Sequence, residues 1–384
     1  MAKKTKSPTE ITSIRHTKDT RVNIPTEELG DFVADDQCRL LRLDFRLPHS
    51  AALKPVLDRL YAEFNYPDSA TDPIQIVRRF ERPDDREVVG FVAAALAFGR
   101  VTSVLQSIER VLAIMGPRPA AYVHRFDPRR HGPAFDGVVH RWTREKDLIA
   151  LIWVLRQMID RAGSVEGFFA EDLDPSAADI EAALDSFSSR ALALDLKEAY
   201  GRVPHPSTPR HPRRRSGRPK SDEGRWPGVC YFFPRPSAGS GCKRLNLFLR
   251  WMIRHDALDL GVWTRVSPAK LIVPLDTHVI RVGRCLRLTK YTSPGWRMAR
   301  DITASLRALD PDDPVKYDFA LCHLGMMNAC GFGRPQRDSQ CPLRGHCSPG
   351  RISSPKPQVT SPKSAGSHKS PVVRRRGRRP KTGE

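Results

Sequence analysis

The chain has 384 residues, 40% hydrophobic and 28% charged, enough to bury a full core as one or two domains. Lys+Arg 64 against Asp+Glu 43 gives a formal charge of +21, which points to a polyanionic partner. The most apolar run, Val88 to Phe98, is too short to cross a bilayer, and no apolar stretch follows the basic start Met1-Ala2-Lys3-Lys4, which argues against a membrane span or secretory signal.

In chain order, residues 1–40 are polar and unpatterned and are expected to be disordered. A helical domain is expected over 41–347. Leu53, Val56, Leu57 and Leu60 fall on one helical face, and Arg82-Pro83-Asp84-Asp85 is a start signal for the apolar 88–98 run. Val104, Ile108, Val111, Leu112 and Met115 form another stripe, closed by Gly116-Pro117. Thr143 is expected to cap a helix carrying Leu148, Leu151, Ile152, Leu155 and Ile159, and Ile180, Ala183, Leu184 and Phe187 continue the pattern. Residues 201–228 break it: this Pro/Arg-rich stretch reads as a disordered basic insertion, with eight Lys/Arg against two acids in 201–225.

Order resumes at Val229. Leu245, Phe248, Leu249 and Met252 then share a helical face, and so do Val279, Val282 and Leu286. Asp313-Pro314 reads as a cap and first position for a helix bearing Val315, Phe319, Cys322 and Met326. Residues 348–384 carry ten Lys/Arg against one acid and read as a disordered basic tail, either simply solvated or a nucleic-acid arm. Strand-like alternation is scarce, so the fold class is all-α. Eight cysteines without a signal read as reduced thiols or metal ligands, and the expected location is cytoplasmic, at the nucleoid, as a monomer.

The chemistry concentrates in two segments. Gly239-Ser240-Gly241-Cys242-Lys243-Arg244 is a Gly-x-Gly turn feeding a helix, where free backbone N–H groups and the helix dipole favour an anion. Gly239, Gly241, Lys243 and Arg244 are therefore expected to contact a phosphate, which the resemblance described below makes a DNA phosphate. Asp276 lies between Pro274 and the next helix; it either only caps that helix or also steadies a developing cation. Lys243, a cation in a first helical turn where the dipole opposes it, either attacks a sugar carbon or holds a phosphate. His278 reads as a packed helix residue and Arg281 as a structural partner. Cys330, Cys341 and Cys347, spaced C-x10-C-x5-C, are candidate ligands for an iron–sulfur cluster or zinc, with Asp338, His346 or Cys322 completing the set; a metal-free loop is the alternative.

Gly239-Ser240-Gly241-Cys242-Lys243 is similar to the Gly-Val-Gly-x-Lys hairpin of the helix-hairpin-helix DNA glycosylases of the endonuclease III type. Leu275-Asp276-Thr277-His278-Val279-Ile280-Arg281-Val282 resembles their Val-Asp-Thr-His-Val-x-Arg-Val segment, and Leu324-Gly325 followed by Cys330 resembles the lead into their cluster loop. A longer similarity, over 53–347, is to a bacterial family defined by a domain of unknown function, carried by Cys242 to Arg254, by the Pro274-Leu275-Asp276 segment and by Asp313 to Leu321. The glycosylase resemblance implies a two-lobed all-α fold that binds duplex DNA, or RNA, and excises a base, with AP-lyase activity as an extension. It makes Asp276 and Lys243 the catalytic residues. A DNA- or RNA-binding protein without chemistry is the second reading, and a metal-dependent enzyme built on the late cysteines is the third. Lys243 and Asp276 are 33 residues apart, about twice the interval in the glycosylases, so the segment around Arg254 to Trp263 is expected to loop out and leave Asp276 beside Lys243.

Overall fold

A computed structural model of the chain describes residues 46–67, 72–200, 228–326 and 341–347. The expected disordered segments (1–40, most of 201–228, and 348–384) lie outside these residues, as does Cys330. Among the described residues all regular elements are helical and the only β pairing is two isolated bridges, so the all-α expectation holds. No described helix is long and apolar enough to cross a membrane.

The helices are α1 (Arg46–Phe64), α2 (Ile74–Arg78), α3 (Pro83–Leu96), α4 (Val101–Met115), α5 (Pro119–His124), α6 (Pro128–His131), α7 (Glu145–Ala162), α8 (Val165–Ala170), α9 (Glu181–Ala193), α10 (Lys197–Tyr200), α11 (Lys243–Ile253), α12 (Thr277–Cys285), α13 (Trp296–Arg307) and α14 (Asp318–Met326). The stripes seen in the sequence form the core: Leu53, Leu57 and Leu60, then Val104, Ile108 and Val111, then Leu148, Leu151 and Leu155 are all buried. The 88–98 run becomes α3, which is buried along most of its length and packs on α11. A Cβ on Gly90 would lie 2.9 Å from Met252 Cε, so the absence of a side chain there sets how closely α3 approaches α11.

Two start signals act elsewhere than expected. Thr143 is buried in a bridge with His140, and α7 begins after Arg144, whose N–H is met by the Asp147 carboxylate at 2.9 Å. Asp313 does not start a helix. Its carboxylate accepts from Arg254 at 2.8 Å, and α14 begins only at Asp318. A buried cation 59 residues away claims the group that local pattern assigns to capping. Helix α13 is masked in the sequence pattern, because its apolar stripe of Trp296, Ala299, Ile302 and Leu306 is interrupted by arginines.

The excess chain between α11 and α12 is pinned rather than loose. Leu260 and Gly261 N–H groups both donate to Trp251 O, and Trp263 N–H donates to Met252 O, so the segment folds back over the end of α11 and satisfies its last carbonyls. Arg250 bonds Asp259 at 3.2 Å and Asp318 at 2.7 Å, while Arg254 bonds Asp256 at 2.8 Å and also pairs with Asp259. Both arginines are 3% exposed, so each charge needs these partners to remain inside. Further on, Val273 N–H donates to Thr303 Oγ1 at 3.0 Å, which returns the chain to α13 before Asp276.

Candidate active site

Lys243 opens α11 and Asp276 caps α12, and their side chains meet: Lys243 Nζ donates to Asp276 Oδ2 at 2.8 Å. The same carboxylate caps the helix through Oδ1, which accepts the His278 N–H at 2.7 Å. The two roles weighed for Asp276, cap and charge partner, therefore sit on two oxygens of one group. Burial alone would push this carboxyl up, but the Lys243 ammonium and the His278 N–H outweigh it and hold it below its ordinary 3.8. Lys243 is 38% exposed on its side chain and Asp276 18%, so the pair is open to a ligand from one side.

The inner side is closed by α14. Cys322 Sγ donates to Asp276 Oδ1 at 3.7 Å, and burial among the nearby carboxylates pushes the Cys322 thiol well up, so it stays protonated. That position sets Cys322 against the carboxylate of the Lys243–Asp276 pair. His278 packs on α14, where a Cβ on Gly325 would lie 2.5 Å from His278 Cβ. The His278 ring is thus a packing residue, as expected, with its Nδ1 buried and unbonded among the described residues.

The hairpin before α11 is built by backbone. Gly239 takes φ +78, where a side chain is disfavoured, and its N–H donates to Pro236 O at 2.8 Å. Its carbonyl accepts from Trp296 N–H at 3.3 Å, and a Cβ on Gly295 would lie 2.8 Å from that carbonyl oxygen. Gly241 packs on Leu275, the residue before Asp276, with 3.2 Å available to a Cβ. The two glycines therefore bring the hairpin against the start of α12. Among the described residues no side chain caps α11, so its first turn keeps the uncapped N–H groups that favour an anion.

A cleft of about 390 Å³ opens at this point, lined by Lys243, Arg244, Gly241, Leu275, Gly295, Phe98 and Tyr231 among others. Arg244 forms part of its wall. Its guanidinium donates to Ala95 O at 2.7 Å and to Tyr231 O, and lies 5.0 Å from the Phe98 ring centre. Burial lowers it to about 10, still cationic at neutral pH, so it ties the end of α3 to the 228–231 segment while adding positive charge to the cleft. Sequence reasoning missed Phe98, Trp142 and Tyr231. Trp142 and Tyr231 lie in no periodic stripe, and the only signal was bulky aromatics in turn-like text.

Of the cysteine set, Cys341 is buried and Cys347 half-buried, while Cys330 lies outside the described residues. No three His, Cys, Asp or Glu side chains among the described residues gather as a metal site. The expected metal set also draws on Cys330 and Asp338, which lie outside the described residues.

No curated protein and no solved structure matches the chain. Residues 72–327, more than half of the chain and including Lys243, Asp276 and Cys322, match the family described as protein of unknown function (DUF2400), and the chain belongs to that family.

Proposed function

We propose that the protein binds DNA and excises a base from it, through a two-lobed helix-hairpin-helix glycosylase-like arrangement in which Lys243 and Asp276 act together. The observation that carries this reading is the 2.8 Å contact between Lys243 Nζ and Asp276 Oδ2, made across 33 residues at the rim of a cationic cleft. An ammonium in a first helical turn works against the dipole, and the carboxylate offsets that misplacement. An amine beside an ionised carboxylate is also the pair that attack on a sugar C1′ requires.

The chemistry follows from the two groups. As the C1′–N bond to the base breaks, its electron pair leaves with the base and positive charge grows on the sugar. The Asp276 carboxylate, held ionised, steadies that cation. The Lys243 ammonium passes one proton to the departing base, and its freed lone pair forms the bond to C1′. The nitrogen bonded to C1′ then gives a proton to Asp276, its lone pair forms the C=N bond as the C1′–O4′ bond breaks, and O4′ takes that proton from Asp276, leaving a protonated imine from which a lyase step proceeds. The uncapped N–H groups of the α11 first turn hold a neighbouring phosphate, with Gly239 and Gly241 allowing the strand to come close.

Borohydride trapping tests the reading. The wild-type chain on an abasic duplex should yield a covalent adduct, because hydride reduces the imine to a stable amine. Lys243→Gln should give none, while duplex binding weakens only modestly, one cation being lost among many. Salt-sensitive binding with no adduct and no excised base from any damaged duplex would favour the second reading, a DNA- or RNA-binding protein without chemistry, since the hairpin and the charge serve both.

A further inference from the structure

Beside the cleft, two of the largest exposed aromatic side chains touch each other. Trp142 is 43% exposed and Tyr231 53%, with ring centres 6.4 Å apart at 60°. Apolar rings of this size are normally covered, and here they are displayed on a rigid mount. Phe98 stacks behind Trp142 with centres 4.5 Å apart and planes at 26°. His140 meets Phe98 edge-on and is fixed from both sides, by Ser107 Oγ at 2.9 Å and by Phe98 O at 3.0 Å. A two-residue turn between His140 and Thr143 carries Trp142 at its tip, with both cross-turn backbone bonds formed.

The surroundings are cationic. Arg141 lies 5.3 Å from the Trp142 ring, Arg244 covers Phe98, and Arg100, Arg141 and Arg144 are exposed. Among the described residues none of these three pairs with a carboxylate, and the nearby Asp147 is buried and occupied by Arg144 N–H, Tyr200 and Gly228 N–H. Tyr231 and Phe98 both line the cleft that holds Lys243, so Tyr231, the ring behind Trp142 and the amine of the reactive pair share one opening.

We propose that Trp142 and Tyr231 form a stacking platform for an unpaired nucleobase, and that the ligand at this cleft is a nucleic-acid strand with a base already out of its helix. This rests on the nucleic-acid reading above and narrows it from duplex DNA in general to DNA with a bulged, mismatched or single-stranded nucleotide. The reason lies in the pairing of features. Free cations hold a phosphate backbone whatever its bases do, whereas exposed rings gain only from a base whose faces are uncovered. An acidic peptide would satisfy the arginines and leave both rings in water.

The test uses the full chain and three probes of equal length: a duplex with 2-aminopurine in a one-nucleotide bulge, the same duplex fully paired, and an abasic strand carrying phosphates alone. The bulged probe should bind about tenfold more tightly than the paired one, with its 2-aminopurine emission quenched by stacking. Trp142→Ala and Tyr231→Ala should each remove about tenfold of affinity for the bulged probe and leave the paired one nearly unchanged, whereas Trp142→Phe should stay within about threefold of wild type. Both positions are exposed, so melting temperatures should hold, and the two independent variants guard against misfolding of either.

Equal affinity for all three probes, or an alanine variant that keeps the bulge preference, overturns the platform. If Lys243 still forms a borohydride adduct in that case, the platform alone is wrong. If the wild-type chain binds none of the probes, the nucleic-acid reading falls with it.

Discussion

At the scale of single residues, Asp276 is bound on both oxygens, and its two contacts can be separated by substitution. Asn keeps an acceptor for the His278 N–H and removes the charge facing Lys243. Because Lys243 is well solvated, Asp276→Asn should cost less than about 1 kcal/mol in stability. The lost charge should nevertheless lower excision or abasic-site cleavage by orders of magnitude. Asp276→Ala removes the cap as well and should cost about 1 kcal/mol more. Chemical denaturation of the two variants beside an excision assay reads both effects. If Asn is as destabilising as Ala, the carboxylate matters to the fold through its charge.

The pH dependence of the same group has a defined sign. The Asp276 carboxyl is held below its ordinary 3.8, so the folded state gives up that proton more readily than the unfolded chain does. Its pairing therefore stabilises the protein fully above about pH 4 and ceases to do so as pH falls through the lower folded value. Acid titration of stability should show the difference between wild type and Asp276→Asn shrinking below pH 3.8. A difference that grows on acidification would show the carboxyl raised instead.

At the scale of elements, the site depends on how α12 lies against α14. Gly325 admits the His278 side chain, and Cys322, one turn earlier on α14, reaches Asp276. Gly325→Ala would force a Cβ to within 2.5 Å of His278 Cβ, so the helices must part. The expected cost is about 1–3 kcal/mol, with Lys243 adduct formation falling alongside as the α12 start moves away from α11. Denaturant titration and trapping on the same preparation measure both. Full stability in the variant would mean that the two helices have room to spare there.

The α11–α12 connection shows why twice the usual interval does not separate the pair. The carbonyls at the end of α11 need donors, and Leu260, Gly261 and Trp263 supply them by folding back. Arg250 and Arg254 lock that return to Asp259, Asp313 and Asp318. Burial pushes the Asp318 carboxyl up to about 6 even with Arg250 beside it, a sign of how far this network is withdrawn from water.

At the scale of the whole molecule, the +21 charge is unevenly spread along the sequence, with eight Lys/Arg against two acids in 201–225 and ten against one in 348–384. Deleting 351–384 removes those ten cations and leaves Lys243, Asp276 and the platform in place. Affinity for duplex DNA should fall and the dependence of log K on log salt should flatten, because fewer counterions are released. Adduct formation at saturating DNA should persist. An unchanged salt slope would mean that those cations do not touch the nucleic acid.

The all-α class, the core stripes, the glycine turn before Lys243 and the Asp276 cap were all legible in the sequence. Each is set by local rules: apolar spacing at the helical period, free N–H groups at a helix start, and a short acceptor before one. The encounter of Lys243 with Asp276 could only be expected by resemblance, since nothing local fixes a distance across 33 residues. Tertiary structure also turned Asp313 from a cap into a partner for Arg254, replaced Thr143 by Asp147 at the start of α7, and set Cys322 against Asp276. It made the aromatic platform as well, from Phe98, Trp142 and Tyr231, which share no stripe and meet only when the chain folds. Short-range pattern decides which backbone groups need partners. Which side chain reaches them, and which ring is left uncovered, depends on packing between segments far apart in the chain.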